Sequence, residues 1–470
     1  MKLDPDQVGF HPLSGFDPAG RLFWWEGNLY RAISAERAAF YEHLLREGIV
    51  RDLVRRNLII DTELTDLKLD GYSLVLKHRA VPFVSYCYEW CGEMLKAAAL
   101  HVLRLQRELL ANGLTVEQDA HPWNVLFIGP SPFWVDICAL TPAGCGVQWD
   151  DMFAAYFSRP LKIMASGHER IARCLLREHF YGIEQREVEA IAGNAFVKGI
   201  RNTRTRAKAI AKKIIPSPLR PLAHGALQHL QILARPEAGQ EPISRVEKAA
   251  RQIENIRLLQ PHSAWSTYDA SMGFPDFSST VRWTEKHRSI LQILTAKKPA
   301  SVLDIGSNRG WYSQLAARCG AQVVSIDSDE PSVTKLFVDV EKSGLSILPL
   351  VVDFHMLNPS VTWNGSPEFP AAERFCCDMV FALALVHHLV FMQHMKFDRI
   401  VTGLSAVARR WLVVEFVARE DGFQEWMACS NKELSWYNLN DFSTALSKKF
   451  RSITEFPSNK EHRRLLLCQR

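Results

Sequence analysis

No stretch of this chain reaches the ~18 to 20 consecutive apolar residues that a helix needs to cross a bilayer. The opening residues, MKLDPDQVGFHPLSG, lack the apolar centre of a secretory signal. The 10 cysteines are scattered, with Cys376 and Cys377 adjacent and no CxxC pair. That spacing argues against a disulfide scaffold or a zinc site and suits reduced thiols, so a soluble, cytoplasmic protein is expected. Charge of one sign is scarce too: net +5 over 470 residues is no electrostatic footprint for nucleic acid. Internal repeats and low-complexity tracts are absent. The composition that remains, 47% hydrophobic and 23% charged, is that of a globular protein long enough for two or three domains.

Another absence narrows the chemistry. The stretch from Pro299 to Glu330 reads as strand, glycine turn, helix and strand, yet its turn is G-x-N-x-G and not the dinucleotide fingerprint G-x-G-x-x-G. Ser301 to Ile305 is a short apolar run suited to a buried parallel strand, Trp311 to Arg318 a helix, and Gln322 to Ile326 the next strand. Ligands in doubly wound sheets bind at the carboxyl ends of the strands. Asp304, Gly306, Asn308, Gly310 and Asp327 are therefore expected around one pocket. Asn308 tolerates positive φ better than most residues. Asp304, two positions before the first glycine, would repel a pyrophosphate but attract a cationic amino-acid tail, directly or through water. Asp327 is placed to accept both ribose hydroxyls. A nucleoside with a charged methionine tail satisfies all of these groups.

The alternation continues. Glu330 to Ser343 is helical, and Leu345 to Val352 is a strand ending at Asp353, which either caps a helix or, as the S-adenosylmethionine-binding fold that the glycine turn resembles implies, accepts from an adenine amino group. Phe354 is available to pack on the same ring. Asp378 to Leu385 is the fourth strand, followed by His387 and His388, which on a helix diverge by ~100° so that one faces the pocket. His388 is the candidate general base, or else a packed histidine. No metal site is expected, since the spacing of Asp353, His388 and His394 is not diagnostic. Trp411 to Phe416 is the fifth strand, with Glu415 at its pocket end. Leu439 to Phe450 is a helix, and Phe450 to Phe456 with Arg464 to Cys468 closes the sheet as an antiparallel pair. The segment from His262 to Glu285 is either a cofactor lid or an ordinary connecting loop. Lys286 after it is either a surface lysine or a contact for the cofactor carboxylate.

The N-terminal part mixes strands and helices. Leu22 to Ile33 reads as a hairpin turning at Glu26-Gly27-Asn28, Ala35 to Glu47 as a helix, Asn57 to Thr62 and Leu74 to His78 as strands, and Trp90 to Ala111 as a long amphipathic helix. Asp119, His121, Asn124 and Asp136 follow the order of protein-kinase-like and aminoglycoside-phosphotransferase-like enzymes, with Lys77 as a phosphate contact. A glycine-rich phosphate loop is missing, and Ile-Cys follows Asp136 in place of Phe-Gly. Asp119 and Asn124 alternatively cap backbone groups of a turn. From Trp149 to Gln260 the pattern is mostly helical. Arg201 to Arg220 carries seven basic residues and no acid, either a solvated helix face or a surface for an anionic partner. Pro236 to Pro242 reads as a linker.

VLDIGSNRGWYS followed by VVSIDSDE resembles the first motifs of class I S-adenosylmethionine (SAM) methyltransferases, and the closing hairpin is a signature of that fold. The chain lacks the acidic-Pro-Pro-aromatic tetrapeptide of many base-directed enzymes. VPFVSYCYEW and DAHPWNVLF with FWVDICAL, joined to RWTEK, FALALVHHL and VVEFV, resemble a family that includes rhizobial nodulation proteins of the NoeA type. The expected fold is α/β: residues 261–470 form a Rossmann-like methyltransferase domain with a seven-stranded sheet. Before it lie an α+β domain at 1–148, kinase-like in one reading, and a helical segment at 149–260. The resemblance implies SAM as cofactor but does not fix the acceptor, and the first reading is a methyltransferase acting on a small molecule or glycan. Competing readings are a bifunctional protein that also transfers phosphate and a non-catalytic SAM-binding regulator.

Overall fold

The computed structural model describes residues 1–11, 14, 17, 19–116, 119–144, 149–178, 182–193, 240–259, 262–266, 276–356, 369–421 and 435–470. The basic stretch Arg201–Arg220 lies outside them. By contact the chain divides into two compact units. Met1–Ala80, Met94–Leu126 and Pro132–Leu259 make the first, and Val81–Glu93, Phe127–Ser131 and Gln260–Arg470 the second.

The first unit holds an antiparallel sheet of β1 (Gly9–Phe10), β2 (Gly20–Trp25), β3 (Asn28–Ile33), β4 (Thr62–Leu64) and β5 (Leu74–His78), in the order β1-β2-β3-β5-β4. Trp25 pairs with Asn28, so the loop is Glu26-Gly27, with φ of 46° and 72°. Two positive φ values make this a turn whose twist matches the flanking strands, which is why glycine stands there. Helices α1 (Ala35–Arg46) and α2 (Ile49–Arg55) separate β3 from β4. The strand expected at Asn57 to Thr62 is displaced: only Thr62 enters β4, while Ile59 bridges to Trp134 and the Ile60 N–H donates to the Trp134 carbonyl at 2.8 Å. In α3 (Gly92–Ala111) the stripe Leu95, Ala98, Val102, Leu105 and Leu109 is wholly buried. Shorter helices follow, α4 (Trp149–Phe153), α5 (Arg159–Met164), α6 (Glu169–Glu178), α7 (Gln185–Ile191) and α8 (Gln240–Glu254). Of the expected linker at Pro236 to Pro242, residues 236–239 lie outside the described residues and 240–242 open α8, with Pro242 in its first turn, where its missing N–H costs nothing.

In the second unit α9 (Glu285–Lys297) leads into β6 (Ser301–Ile305), α10 (Trp311–Arg318), β7 (Gln322–Asp327), α11 (Glu330–Ser343) and β8 (Ile347–Val351). Then come β9 (Cys377–Ala382), α12 (Val386–Phe391), α13 (Phe397–Val407), β10 (Ala408–Val417), α14 (Leu439–Ser447), β11 (Ser452–Pro457) and β12 (Arg463–Gln469). The sheet runs β8-β7-β6-β9-β10-β12-β11, parallel from β8 to β10 and antiparallel at β12. This is the seven-stranded Rossmann-like sheet with an antiparallel closing pair expected from the sequence. Its central strands are buried on both faces, which explains their unbroken apolar runs: Val323, Val324, Ile326, Met379, Val380 and Phe381 are at most 1% exposed. The order reverses between β6 and β9, so the crevice at their carboxyl ends is the ligand edge.

Val81–Glu93 belongs to this second unit through an ion pair. Arg374 donates from Nη2 to Glu89 Oε1 at 2.6 Å and from Nη1 to Oε2 at 2.9 Å, with both side chains 6% exposed. The same guanidinium donates to the Val84 carbonyl at 2.7 Å and stacks 4.3 Å from the Tyr86 ring centre. Burial works against this charge, but the Glu89 carboxylate holds it above the ordinary arginine value. Removing one partner strands a buried charge, at a cost of about 3 to 5 kcal/mol. Glu89→Ala should therefore lower the unfolding free energy by that amount in urea titration, although residue 89 is far in sequence from the C-terminal sheet.

Candidate active site

The turn between β6 and α10 shapes the ligand edge. Gly306, Asn308 and Gly310 have φ of 71°, 52° and 69°. A Cβ on Gly310 would lie 2.5 Å from a Leu336 methyl and one on Gly306 3.1 Å from a Leu385 methyl, so a side chain is strained by the positive φ at both and would have to displace a leucine. Asn308 takes its positive φ as its type allows. The turn is tied to the next strand: the Asn308 N–H donates to Asp327 Oδ2 at 2.7 Å, and the Asp329 N–H to Oδ1 at 2.8 Å. Burial raises the Asp327 carboxyl above its ordinary range, opposed by these amides.

Asp304 lies beneath the turn. It is 3% exposed and accepts from Ser313 Oγ at 2.6 Å, and Ser313 in turn meets Ser325 at 3.0 Å. This buried network ties β6 to α10 and β7. Burial raises its carboxyl to about 6. Neither serine was legible beforehand, because each sits in an apolar pattern. Asp353 accepts from the His355 N–H at 2.9 Å, the capping role kept open above. Phe354 packs against α13: its ring lies 2.9 Å from where a Cβ on Gly403 would stand, and it is 8% exposed.

Strand β9 ends at Ala382, earlier than expected, and Ala384 takes φ of 51° before α12 begins. A left-handed alanine is strained by about 1 to 2 kcal/mol, and here it aims the histidine pair at the sheet edge. The two rings do not diverge. Their centres are 4.1 Å apart, His387 buried and His388 half-buried with its ring 5.2 Å from that of Trp265. Burial and then the neighbouring His388 and Arg463 lower His387 to about 3; burial and Arg463 lower His388 to about 4. Both rings are neutral near pH 7.

Lys286 is buried and not on the surface. It is 5% exposed and donates to Glu415 Oε2 at 2.6 Å, and Glu415 also accepts from Ser458 Oγ at 2.5 Å. Burial alone would raise the Glu415 carboxyl, but Lys286 holds it below the ordinary range.

In the first unit, Asn124 Nδ2 donates to the Asp119 carbonyl at 3.3 Å, and His121 Nε2 lies 3.7 Å from Asp119 Oδ1. Asp136 Oδ1 accepts from the Cys138 N–H at 3.0 Å. The cation beside it is Arg31 of β3, not Lys77 of β5: Arg31 Nη1 is 3.1 Å from Asp136 and 2.9 Å from Asp17. Asp17, Asp136 and Cys138 are the one group among the described residues spaced to hold a metal ion. The guanidinium already neutralises those carboxylates, and burial pushes the Cys138 thiol up to about 12.

The SAM fit can be judged from the residues themselves. Glycines open the turn, Asp327 retains acceptor capacity beyond its two amides, and Ser307 Oγ is buried without a hydrogen-bond partner among the described residues. These groups fit the cofactor. Asp304 supplies a check on the turn's electrostatics. Its folded value of about 6 lies above the ordinary 3.8, so the folded state binds more protons between those limits and stability should fall as pH rises through them. Asp304→Asn should remove that slope, worth about 2 to 3 kcal/mol between pH 4 and 7, as read by urea unfolding of the ligand-free protein.

No family model matches the chain. It is 27% identical over 455 residues to nodulation protein NoeA of Rhizobium meliloti (strain 1021), covering 93% of this chain and 91% of that one. Among solved structures it is similar to magnesium protoporphyrin IX methyltransferase (ChlM) from Synechocystis PCC 6803 with bound SAH, at 16% identity and a TM-score of 0.28, covering 39% of this chain and 81% of that one. The bifunctional kinase-methyltransferase WbdD matches at 17% identity and a TM-score of 0.30, over 43% of this chain and 41% of WbdD. TehB from Haemophilus influenzae matches at 14% identity and 0.29, over 44% and 66%. By its glycine turn and its sheet order the chain resembles the class I SAM-dependent methyltransferases, and over nearly its whole length it resembles NoeA.

Proposed function

We propose that this methyltransferase-type protein moves a methyl group from SAM to a small-molecule or glycan acceptor. The observation that carries the reading is the Asn308 N–H bonded to Asp327 across the turn at the carboxyl edge of the sheet. Bound SAM supplies a methyl group already activated on a sulfonium. Gly306, Asn308 and Gly310 let the backbone approach the cofactor, Asp327 takes the ribose hydroxyls, and Asp304 steadies the turn from below. Asp353 lies at the adenine end, while Phe354 supports it from the α13 side. His388 stands just past β9 and accepts the proton of an acceptor hydroxyl on its neutral imidazole. Likeness to NoeA supports a place in nodulation.

Two variants separate cofactor from chemistry. Asp327→Ala should weaken SAM binding by about 1.5 to 3 kcal/mol in calorimetry, the worth of a charge-assisted hydrogen bond. His388→Ala should leave that affinity in place and lower SAH formation roughly 10²- to 10⁴-fold. With His388 lowered to about 4, the wild-type rate should be flat above pH 6 and fall as acid protonates the base. His387→Ala is no silent control, since the two rings touch. A protein that binds SAM but releases no SAH with any acceptor would be a regulator instead.

A second reading concerns the first unit, and a specific observation favours it. Kinase-like folds place the phosphate-binding cation on their third strand, and Arg31 stands on the third strand of this sheet, facing the Asp136 of the Asp119, Asn124, Asp136 series. We infer a kinase-like fold without phosphate transfer. Arg31 is engaged by Asp17, which comes from the segment where a glycine-rich loop would lie. The full chain should show no magnesium-dependent ATP hydrolysis above an Asp119→Ala, Asp136→Ala double variant.

A further inference from the structure

Residues 263–266 bind three parts of the candidate site at once. Ser263 Oγ donates to Asp329 Oδ2 at 2.8 Å, and Asp329 itself donates its N–H to the ribose-side acid Asp327. Asn308 Nδ2 of the glycine turn donates to the Trp265 carbonyl at 3.1 Å, and Lys335 Nζ to the Ser266 carbonyl at 2.9 Å. The Ser263 and Ser266 side chains each cap the other's backbone N–H, which stiffens the segment, and Ser266 is 2% exposed. Against this fixed backbone the Trp265 ring is 40% exposed and meets the His388 ring edge-on, 90° between planes. An indole held this firmly restricts an imidazole beside it far more than solvent would.

We propose that Trp265 is a positioning residue for His388, holding the imidazole at the carboxyl end of β9 and tying its orientation to the turn that receives the cofactor. The inference rests on the methyltransferase reading and deepens it. His387 on its own helix and Arg463 of β12, paired with Asp421 at 2.7 Å, also act on His388. Trp265 sets an apolar ring against it that shields as well as orients the imidazole. Its chemistry matters most for a hydroxyl acceptor, whose proton must leave along one direction.

The test uses the full chain labelled with carbon-13 at histidine Cε1, with a His388→Gln variant to identify the resonance. In the ligand-free protein, Trp265→Ala should raise the His388 titration midpoint from about 4 by a unit or more, roughly a tenfold change in the protonation constant. Trp265→Phe should restore the wild-type midpoint, since an aromatic ring suffices. SAH affinity by calorimetry should change by less than about threefold in Trp265→Phe. An unmoved midpoint in Trp265→Ala, or a shift that phenylalanine does not restore, overturns the proposal. Should Trp265→Ala fail to fold, Trp265→Gln, which is polar and not aromatic, gives the same reading. Wild-type protein that binds no SAH defeats the methyltransferase reading instead, independently of the midpoint.

Discussion

The turn from Gly306 to Gly310 is the constraint on which the second unit depends. Three of its residues must hold positive φ, and Leu336 and Leu385 stand where β-carbons on the two glycines would point. That closeness lets α10 start directly above β6. It places the Asn308 N–H on Asp327 and Ser313 on Asp304, so one turn organises two strands, a helix and both acids. A bulkier turn would separate these groups and dissolve the ligand edge. The apolar parallel sheet supplies rigidity, but the glycine turn decides what that rigidity presents.

Buried charge is handled by pairing wherever a partner is within reach. Lys286 meets Glu415, Arg374 meets Glu89, and Arg31 is shared between Asp17 and Asp136. Such pairs contribute little net stability over apolar packing, but losing one partner is costly, so they fix which segments must come together. Arg374 illustrates the point, since it draws Val81–Glu93 into the C-terminal unit. Asp304 is hydrogen-bonded to Ser313 and not paired with a cation, and burial makes it hold its proton to higher pH.

The histidine pair reflects the same low-dielectric surroundings. Burial keeps both rings uncharged near pH 7. The left-handed Ala384 precedes their helix, and the indole of Trp265 meets the His388 ring edge-on.

Local order determined much of this protein. The hairpin at Glu26-Gly27, the buried stripe of α3, the β6–α10–β7 unit and the antiparallel closing pair all follow from periodicity and turn residues, because their stabilising contacts lie within a few residues or on one face. Asn308 in the turn was legible for the same reason. Long-range contacts decided the rest. Lys286 looked like a surface residue until Glu415, 129 positions away, was brought against it. Phe354 was placed by a gap at Gly403, Arg31 rather than Lys77 by the fold of β3 against Asp136, and the two histidines by a strained alanine between strand and helix. Periodicity records which face of an element is apolar; it carries no information about which distant charge or cavity that face will meet, and there the tertiary structure decided.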